Sequence, residues 1–304
     1  MKSEGYVATI GMFDGVHRGH QFVLQHVVGE ARQRGMLSMA ITFLLPQGER
    51  VVRNDKSASL TLTPLDQKRL LLTKAGIDRI EVLAFDEALR QMTARQFMQH
   101  VLRDKYGVKV LLTGYDNRFG HNRAESFDDY VRYGKELGIE VKNLPPAPSM
   151  RKGSCVSSSL IRALIADGNI SEANELLGHP YTLLGSVEHG EHIGTQLGFP
   201  TANIVVSDPT QLLPAAGAYA VKIRMENSVE WKHGMMNIGM RPTFDGQHQT
   251  MEVHVFRLHE NLYGQQLQVA VVERLRGEQR FDNIEALKEQ LRNDALAAEK
   301  ILLL

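Results

Sequence analysis

Residues 11–21 read GMFDGVHRGHQ and decide the fold of the first half of this chain. They join a glycine-rich turn to two histidines that are three positions apart. The preceding run, residues 6–10 (YVATI), is short, apolar and β-branched, which predicts a buried strand. After the turn, apolar residues recur at helical spacing from Phe22 to Ala31. The sequence therefore predicts a strand–turn–helix unit with the histidines at the start of the helix.

The start of that helix is suited to bind an anion. Backbone N–H groups and the helix dipole attract negative charge there. His17 and His20 lie on one face of the helix, so both side chains can contact a single phosphate group. The alternative is that they are surface histidines of an ordinary helix cap.

Strands and helices alternate along the chain up to about residue 180. The pattern predicts further strands at 37–43, 79–85 and 108–113, and further helices at 65–75, 93–102 and 127–137. Such alternation is typical of a parallel sheet with helices on both faces. Ligands of these sheets bind outside the carboxyl ends of the strands, which here include residues 9–11 and 113–114.

The pattern changes near Tyr181. From residue 183 to 272, short alternating apolar runs are separated by glycines and prolines. This texture predicts antiparallel strands in a small barrel or sandwich, and a final helix is predicted at 284–302. We therefore expect two domains, residues 1–181 and 182–304.

Composition places the chain among soluble globular proteins. Its 304 residues suit two domains, and 43% are hydrophobic and 23% charged. The 35 basic and 35 acidic residues cancel, which argues against nucleic-acid binding, because such binding needs a concentrated positive field. The sequence has no apolar run of membrane-spanning length and no secretory pattern, and Cys155 is its only cysteine. We expect a cytoplasmic monomer or weak oligomer with small-molecule substrates and no membrane or nucleic-acid partner.

A second motif, VSSSLIR at residues 156–162, begins another predicted helix. Serines at a helix start offer hydroxyls and free N–H groups, and the Arg162 guanidinium suits phosphate oxygens. An ordinary N-cap beside a solvated arginine is the alternative. Between the two motifs, residues 114–120 (GYDNRFG) follow a predicted strand, although Asp and Gly are also common in simple turns.

In the second half, residues 197–203 (LGFPTAN) carry the strongest signal. Thr201 and Asn203 lie two apart, so in an extended segment both project to the same side. They can hold Mg²⁺ there, because this ion prefers oxygen ligands. Strand alternation in residues 251–256 places Glu252 on the face opposite the apolar side chains. An exposed glutamate on a wet face is the alternative interpretation.

Together these segments resemble the bifunctional riboflavin kinase/FMN adenylyltransferase (FAD synthetase) family, and the resemblance covers almost the whole chain. It rests on GMFDGVHRGHQ, GYDNRFG, VSSSLIR, GFPTAN, GAYAV, NIGMRPTF, Glu252 with His254, and LYG at 262–264. The resemblance implies an α/β nucleotidyltransferase-type domain with a parallel sheet, followed by an antiparallel β-barrel riboflavin kinase domain with a C-terminal helix.

The resemblance also implies two reactions. Riboflavin and ATP give FMN, then FMN and ATP give FAD and pyrophosphate, with Mg²⁺ as the metal. The implied catalytic residues are His17, His20 and Arg162 for adenylyl transfer and Glu252 as the general base of the kinase. The implied binding residues are Gly11, Phe13, Asp14, Gly15, Ser157, Ser158 and Ser159 for ATP in the first domain, Asp116 and Arg118 near flavin and nucleotide, and Gly198, Pro200, Thr201 and Asn203 for ATP in the kinase, with Thr201 and Asn203 as metal ligands.

The chain departs from the family pattern in several places. Residues 42–47 (TFLLPQ) lack the histidine of the family's T-F-x-P-H-P pattern, Asn117 replaces a phenylalanine, Ser159 replaces a threonine, and Thr195 replaces an arginine. The first two departures concern the flavin side of the first domain, so we expect a reduced rate of FAD synthesis rather than its loss. Two alternatives stay open: a kinase whose first domain is weakened or senses flavin or nucleotide, and a nucleotidyltransferase for another phosphorylated acceptor.

Overall fold

The computed structural model of the chain describes residues 5–44, 60–115, 117–121, 125–147, 156–189, 194, 197–226, 228–243, 246–258 and 260–303, with only the backbone for 240–243 and 246–248. The chain divides into two compact units, residues 1–55 with 63–158 and residues 56–62 with 159–304. Each unit has its own sheet.

The first unit is built on a parallel five-stranded sheet with the order β3-β2-β1-β4-β5. The strands are β1 (Tyr6–Ile10), β2 (Leu37–Leu44), β3 (Arg79–Ala84), β4 (Val108–Thr113) and β5 (Glu140–Asn143). β1 pairs with both β2 and β4, so its carboxyl end lies in the middle of the sheet edge. The sequence pattern predicts the first four strands and misses β5, because its residues EVKN contain a single apolar side chain.

Helices cover both faces of this sheet. They are α1 (Arg18–Arg34), α2 (Leu65–Lys74), α3 (Glu87–Gln91), α4 (Ala94–Gln96), which continues into a π-helix (Phe97–Lys105), and α5 (Phe127–Leu137). α1 and α2 pack on the face to which Val7 points, whereas the π-helix and α5 pack on the face of Ala8. The predicted α/β fold of the first half is confirmed.

Helix ends follow from the local sequence. Thr93 and Ser126 form capping boxes at the starts of α4 and α5, so their hydroxyls satisfy N–H groups that lack a partner inside the helix. α1 begins after His17, whose ring is its N-cap, and ends at Gly35 with a left-handed φ of 66°. These short-range signals place α1 directly behind the carboxyl end of β1.

The second unit contains a closed antiparallel barrel with the order β10-β7-β6-β11-β8-β9, which decides between the barrel and the sandwich of the sequence analysis. Its strands are β6 (Tyr181–Glu188), β7 (Ala202–Val206), β8 (Gly217–Met225), β9 (Lys232–Thr243), β10 (Gly246–Val255) and β11 (Gln266–Gly277). Burial alternates along β6, so every second side chain points into the barrel core. The predicted barrel fold of the second half is confirmed.

The second unit also contains α7 (Ile170–Leu177), α8 (Ile284–Leu303) and α6 (Ser158–Ala166) from its second residue onward. α8 packs Ala298 and Leu302 against the barrel side chains Ala220 and Met235. α7 is tied to β11, because the Asn174 amide donates to the Val271 carbonyl at 2.9 Å. Residues 159–180 thus pack with the barrel, and the domain boundary at residue 181 stays a prediction.

No helix in the described part of the chain is both long enough and apolar enough to cross a membrane.

Candidate active sites

The turn between β1 and α1 holds its backbone in a costly conformation. Phe13, Gly15 and Val16 have φ angles of 48°, 81° and 39°. Left-handed backbone is rare for a β-branched residue such as Val16 and costs on the order of 1–3 kcal/mol. A Cβ at position 11 would lie 3.1 Å from ring carbons of Phe13, a tight contact that glycine avoids. Such strain persists only where the surroundings hold it, and it concentrates at functional sites.

Hydrogen bonds to Thr63 and Ser158 help to hold this segment, residues 11–20, which we call the histidine turn. The Gly15 N–H donates to Thr63 Oγ1 at 2.9 Å, and the Thr63 N–H donates to Asp14 Oδ1 at 3.1 Å. Ser158 Oγ donates to the Asp14 carbonyl at 2.9 Å. Asp14 and Thr63 are buried. Asp14 therefore links the turn to Thr63 and Ser158, a role that its motif alone does not reveal.

The two histidines of the turn lie face to face. Their ring centroids are 3.7 Å apart and their planes differ by 17°. His17 Nδ1 accepts the His20 backbone N–H at 3.4 Å, which leaves the other ring nitrogen of His17 as its donor. The Phe13 and His20 rings pack in a T-shaped arrangement, with their centroids 5.3 Å apart. The structure thus brings the predicted pair together at the start of α1.

Burial and neighbouring groups set the charge state of His20. Burial lowers its pKa well below the ordinary value, and His17 and Lys68 act in the same direction. His20 is therefore neutral at pH 7, with one ring nitrogen as a donor and one as an acceptor. Its Nδ1 is buried without a hydrogen-bond partner within the described residues. Lys68 carries no functional signal in the sequence, because a lysine in an amphipathic helix is ordinarily solvated.

The serine motif is divided between the two units. Ser157 is exposed, while Ser158 is half-buried and bonded to the histidine turn as described above. Ser159, also exposed, and Arg162 belong to the second unit. Arg162 Nε donates to the Leu60 carbonyl at 2.8 Å. Ser158 therefore contacts the histidine turn, whereas Arg162 belongs to the second unit.

A cavity of about 330 Å³ opens at the carboxyl ends of β4 and β5, which we call the strand-end cavity. Its walls combine aromatic rings with amide, hydroxyl and guanidinium groups. The lining residues are Thr113, Gly114, Tyr115, Asn117, Arg118, Phe127, Tyr130 and Asn143. Arg118 is thus placed as the motif predicts, whereas Asp116 lies outside the described residues. Asn143 is not predicted from the sequence, because it lies on β5, which the sequence pattern does not predict.

Asn117 has a structural role in this wall. Its side-chain amide donates to the Ile10 carbonyl at 2.5 Å. Ile10 is the last residue of β1 and directly precedes Gly11 of the histidine turn. A phenylalanine, which the family pattern has at this position, cannot make the bond. The other departures at residues 46–47 and 195 lie outside the described residues, as does Cys155.

In the barrel, the segment before β7 folds onto the outer face of β10. His254 Nδ1 donates to the Pro200 carbonyl at 2.7 Å, and the edge of Phe199 meets the His254 ring at 5.4 Å. Thr201 Oγ1 lies 3.5 Å from Glu252 Oε2. Asn203 is opposite Glu252 in the β7–β10 register. The predicted kinase residues therefore lie together.

Two glycines shape this segment. Gly198 has a φ of 84°, which favours glycine. Gly194 accepts the Leu197 and Phe199 N–H groups at its carbonyl, and a Cβ on it would lie 2.4 Å from the Phe199 oxygen. The chain therefore turns tightly immediately before Pro200. Gly198 belongs to the LGFPTAN motif, whereas Gly194 precedes it and is not predicted from the sequence.

The oxygen donors of this cluster fit a magnesium ion. Thr201, Asn203 and Glu252 are half-buried and supply hydroxyl, amide and carboxylate oxygens, the hard ligands that Mg²⁺ prefers. The described residues contain no group of three His, Cys, Asp or Glu side chains that could hold a metal ion. A site here would therefore need oxygen ligands from the substrate phosphates as well, as is usual for Mg²⁺.

Comparisons with known proteins match the two halves of the chain to two different enzyme families. Residues 1–160 match the FAD synthetase family model, and residues 177–302 match the riboflavin kinase model. The bifunctional riboflavin kinase/FMN adenylyltransferase of Escherichia coli K12 is 37% identical over 98% of this chain and 93% of its own length. The chain belongs to the bifunctional riboflavin kinase/FMN adenylyltransferase family. The family, the fold class, the transferase class and the two-step function expected from the sequence are confirmed.

Further members and a solved structure extend the comparison. The family member of Haemophilus influenzae is 35% identical over 97% of this chain and 94% of its own length. The crystal structure of a macrolide-efflux protein from Streptococcus pneumoniae is 28% identical, with a TM-score of 0.86 over 96% of this chain and 93% of that chain. The likeness of fold thus extends over both units.

Proposed function

We propose that the first unit performs adenylyl transfer at the histidine turn and that the barrel performs phosphoryl transfer at the Thr201–Glu252 cluster. In the first reaction, a phosphate oxygen of FMN attacks the α-phosphorus of ATP. The bond from that phosphorus to the bridging oxygen breaks, and pyrophosphate leaves with the electron pair. In the second, the 5′-hydroxyl of riboflavin attacks the γ-phosphorus, ADP leaves, and the hydroxyl proton goes to a base.

The observation that supports adenylyl transfer in the first unit is the strained histidine turn. Hydrogen bonds to Thr63 and Ser158 hold this turn, and it places the two histidines at the start of α1. Helix-start N–H groups and histidine donors stabilise charge that develops on the α-phosphate oxygens. Gly11 and Gly15 have no side chain, so the backbone there can approach the triphosphate closely. Phe13 is assigned to the same nucleotide on the strength of its motif, and Asp14 fixes the turn. We assign Arg162, Ser157, Ser158 and Ser159 to the same nucleotide, on the strength of their motif.

The strand-end cavity supports a flavin site in the first unit. Ligand pockets are mostly apolar and aromatic, with a few polar groups that fix orientation. Tyr115, Phe127 and Tyr130 offer the rings, and Arg118 offers a cation for the phosphate of FMN. We assign Asp116 to the same region because its sequence neighbours line the cavity.

In the barrel, we assign Glu252 as the general base and Gly198, Pro200, Thr201 and Asn203 to ATP. A carboxylate within reach of the 5′-hydroxyl can accept its proton while the new bond to phosphorus forms. Thr201 and Asn203 would hold Mg²⁺. When bound, this ion neutralises phosphate charge. The contact between Thr201 and Glu252 supports a shared site for the metal and the base.

We further propose a cytoplasmic location, a monomeric or weakly oligomeric state, and no nucleic-acid partner. The formal net charge of zero supports the last point.

Incubation of the purified protein with riboflavin, ATP and Mg²⁺ should yield both FMN and FAD, which chromatography separates. Each half of the chain carries the site for one step, so FMN should appear first and FAD should follow. If FMN accumulates without FAD in excess ATP, the first unit is a flavin or nucleotide sensor instead. Replacing FMN with other phosphorylated acceptors, such as a coenzyme A precursor, then tests the remaining alternative.

Asn117→Ala should destabilise the first unit by about 1 kcal/mol, the usual net contribution of one hydrogen bond. Asn117→Asp should be worse, because it sets a carboxylate against the Ile10 carbonyl. Both variants should form FAD more slowly and FMN at the parental rate, since the barrel is untouched. Thermal unfolding and the two activities measure this. Parental unfolding of both variants would show that the Asn117–Ile10 bond contributes nothing.

A further inference from the structure

Lys68 is fixed to the histidine turn by the helix that carries it. It lies near the start of α2, and the residue is only 6% exposed. α2 packs against the Asp14–Val16 part of the turn. Thr63, two residues before α2, is bonded to both Asp14 and Gly15. The position of Lys68 relative to the histidine turn is therefore set by direct contacts.

The ammonium of Lys68 lacks a direct counter-ion in the described part of the chain. The Asp14 carboxylate attracts it, and its own positive charge contributes to the lowered pKa of His20. Within the described residues, however, Lys68 Nζ makes no hydrogen bond and no close ion pair. Asp14 Oδ1 instead accepts the Thr63 N–H.

A largely buried cation without a direct partner lowers the stability of a fold. Accordingly, burial lowers the pKa of Lys68, and Asp14 only opposes this effect. A polyanion at the start of α1 would supply the missing counter-charge, because α2, which carries Lys68, packs against the histidine turn, which includes His20. Of the groups in the adenylyl-transfer reaction, the triphosphate carries the most negative charge.

We infer that Lys68 binds the β- and γ-phosphates of ATP in the first unit and, after the reaction, the pyrophosphate product. The inference rests on the proposed adenylyl transfer. When the bond between the α-phosphorus and the bridging oxygen breaks, negative charge grows on the departing pyrophosphate. A cation fixed beside that group stabilises the transition state more than the ground state. Lys68 is then a catalytic residue alongside His17 and His20.

Lys68→Met tests this inference, because methionine retains a long apolar side chain and removes the charge. We expect kcat/KM for ATP in FAD formation to fall at least about tenfold, and the affinity for inorganic pyrophosphate, measured by calorimetry, to fall similarly, as for the loss of one charge-stabilising contact. FMN formation should not change. The thermal unfolding temperature should stay equal or rise, since a buried charge is replaced by an apolar group. Lys74→Met, on the exposed side of the same helix, should behave as the parent.

If Lys68 serves only to neutralise the charge of Asp14 in the folded protein, we expect the opposite results. Lys68→Met would then unfold at a lower temperature and, where folded, bind pyrophosphate like the parent, which overturns the inference. If that variant does not fold, Lys68→Arg keeps the cation and decides. We expect it to form FAD at least about tenfold more slowly, because a guanidinium does not replace a compact ammonium. Parental FAD kinetics in Lys68→Arg would overturn the inference.

The same measurements separate this inference from the proposed function. A parent protein that forms no FAD but binds pyrophosphate in a Lys68-dependent way contradicts the proposed adenylyl transfer and retains the Lys68 site. FAD formation that Lys68→Met leaves unchanged contradicts the role of Lys68 alone.

Discussion

His20→Ala should lower kcat for FAD formation by on the order of 10²-fold or more, the effect of removing one donor from a developing oxyanion. The reason is the placement of the neutral His20 ring, stacked on His17 at the start of α1. Such a donor acts on charge that exists mainly in the transition state, so KM for ATP should change much less. Steady-state kinetics with supplied FMN measure both parameters.

His26→Ala is the matched control for this variant. His26 lies on the same helix but is exposed, and its Nδ1 bonds to the Phe22 carbonyl at 2.8 Å. It should form FAD like the parent. Both variants should keep the parental rate of FMN formation. If His20→Ala forms FAD at the parental rate, the histidines belong to an ordinary helix cap and take no part in catalysis.

Glu252→Gln should lower FMN formation by about 10²–10⁴-fold, the usual contribution of a positioned general base. Glutamine preserves the shape of the side chain and its contact with Thr201 but cannot accept the proton of the 5′-hydroxyl. Adenylylation of supplied FMN should continue at the parental rate, because it takes place in the other unit. Separate assays with riboflavin and with FMN as the substrate measure the two steps.

Glu273→Gln provides the comparison, since Glu273 is an exposed glutamate on barrel strand β11. It should leave both activities unchanged. Retained kinase turnover in Glu252→Gln would reject the assignment of Glu252 as the base. Loss of both activities together would indicate a folding defect rather than lost chemistry.

Much of the fold can be predicted from local patterns. The apolar run YVATI, the glycine turn and the periodic apolar residues of α1 specify the first βα unit, and capping residues such as Thr93 and Ser126 fix where helices begin. These signals depend on neighbours in the sequence, so they can be read without the tertiary structure. β5 is not predicted from the sequence, because a short, polar edge strand is stabilised by its pairing with β4 rather than by its own composition.

The candidate sites are predicted less completely. Short motifs reveal His17, His20, Thr201 and Glu252, because each carries a residue type suited to phosphate, metal or proton chemistry. Thr63, Lys68 and Asn143 carry no such local signal. Their relevance comes from elements distant in sequence that pack around the histidine turn and the strand-end cavity.

The sequence by itself determined that a parallel α/β unit precedes an antiparallel β unit, the family, and the motifs from which the candidate sites are predicted. Only the tertiary structure decided that six strands close into a barrel, that Thr63 and Ser158 hold the strained turn, and that Lys68 is buried in a helix that packs against this turn. Strand closure, hydrogen bonds across 48 or more positions, and burial all depend on which distant segments meet. That information arises only when the chain packs, because a side chain's solvent exposure and charge environment are properties of its surroundings.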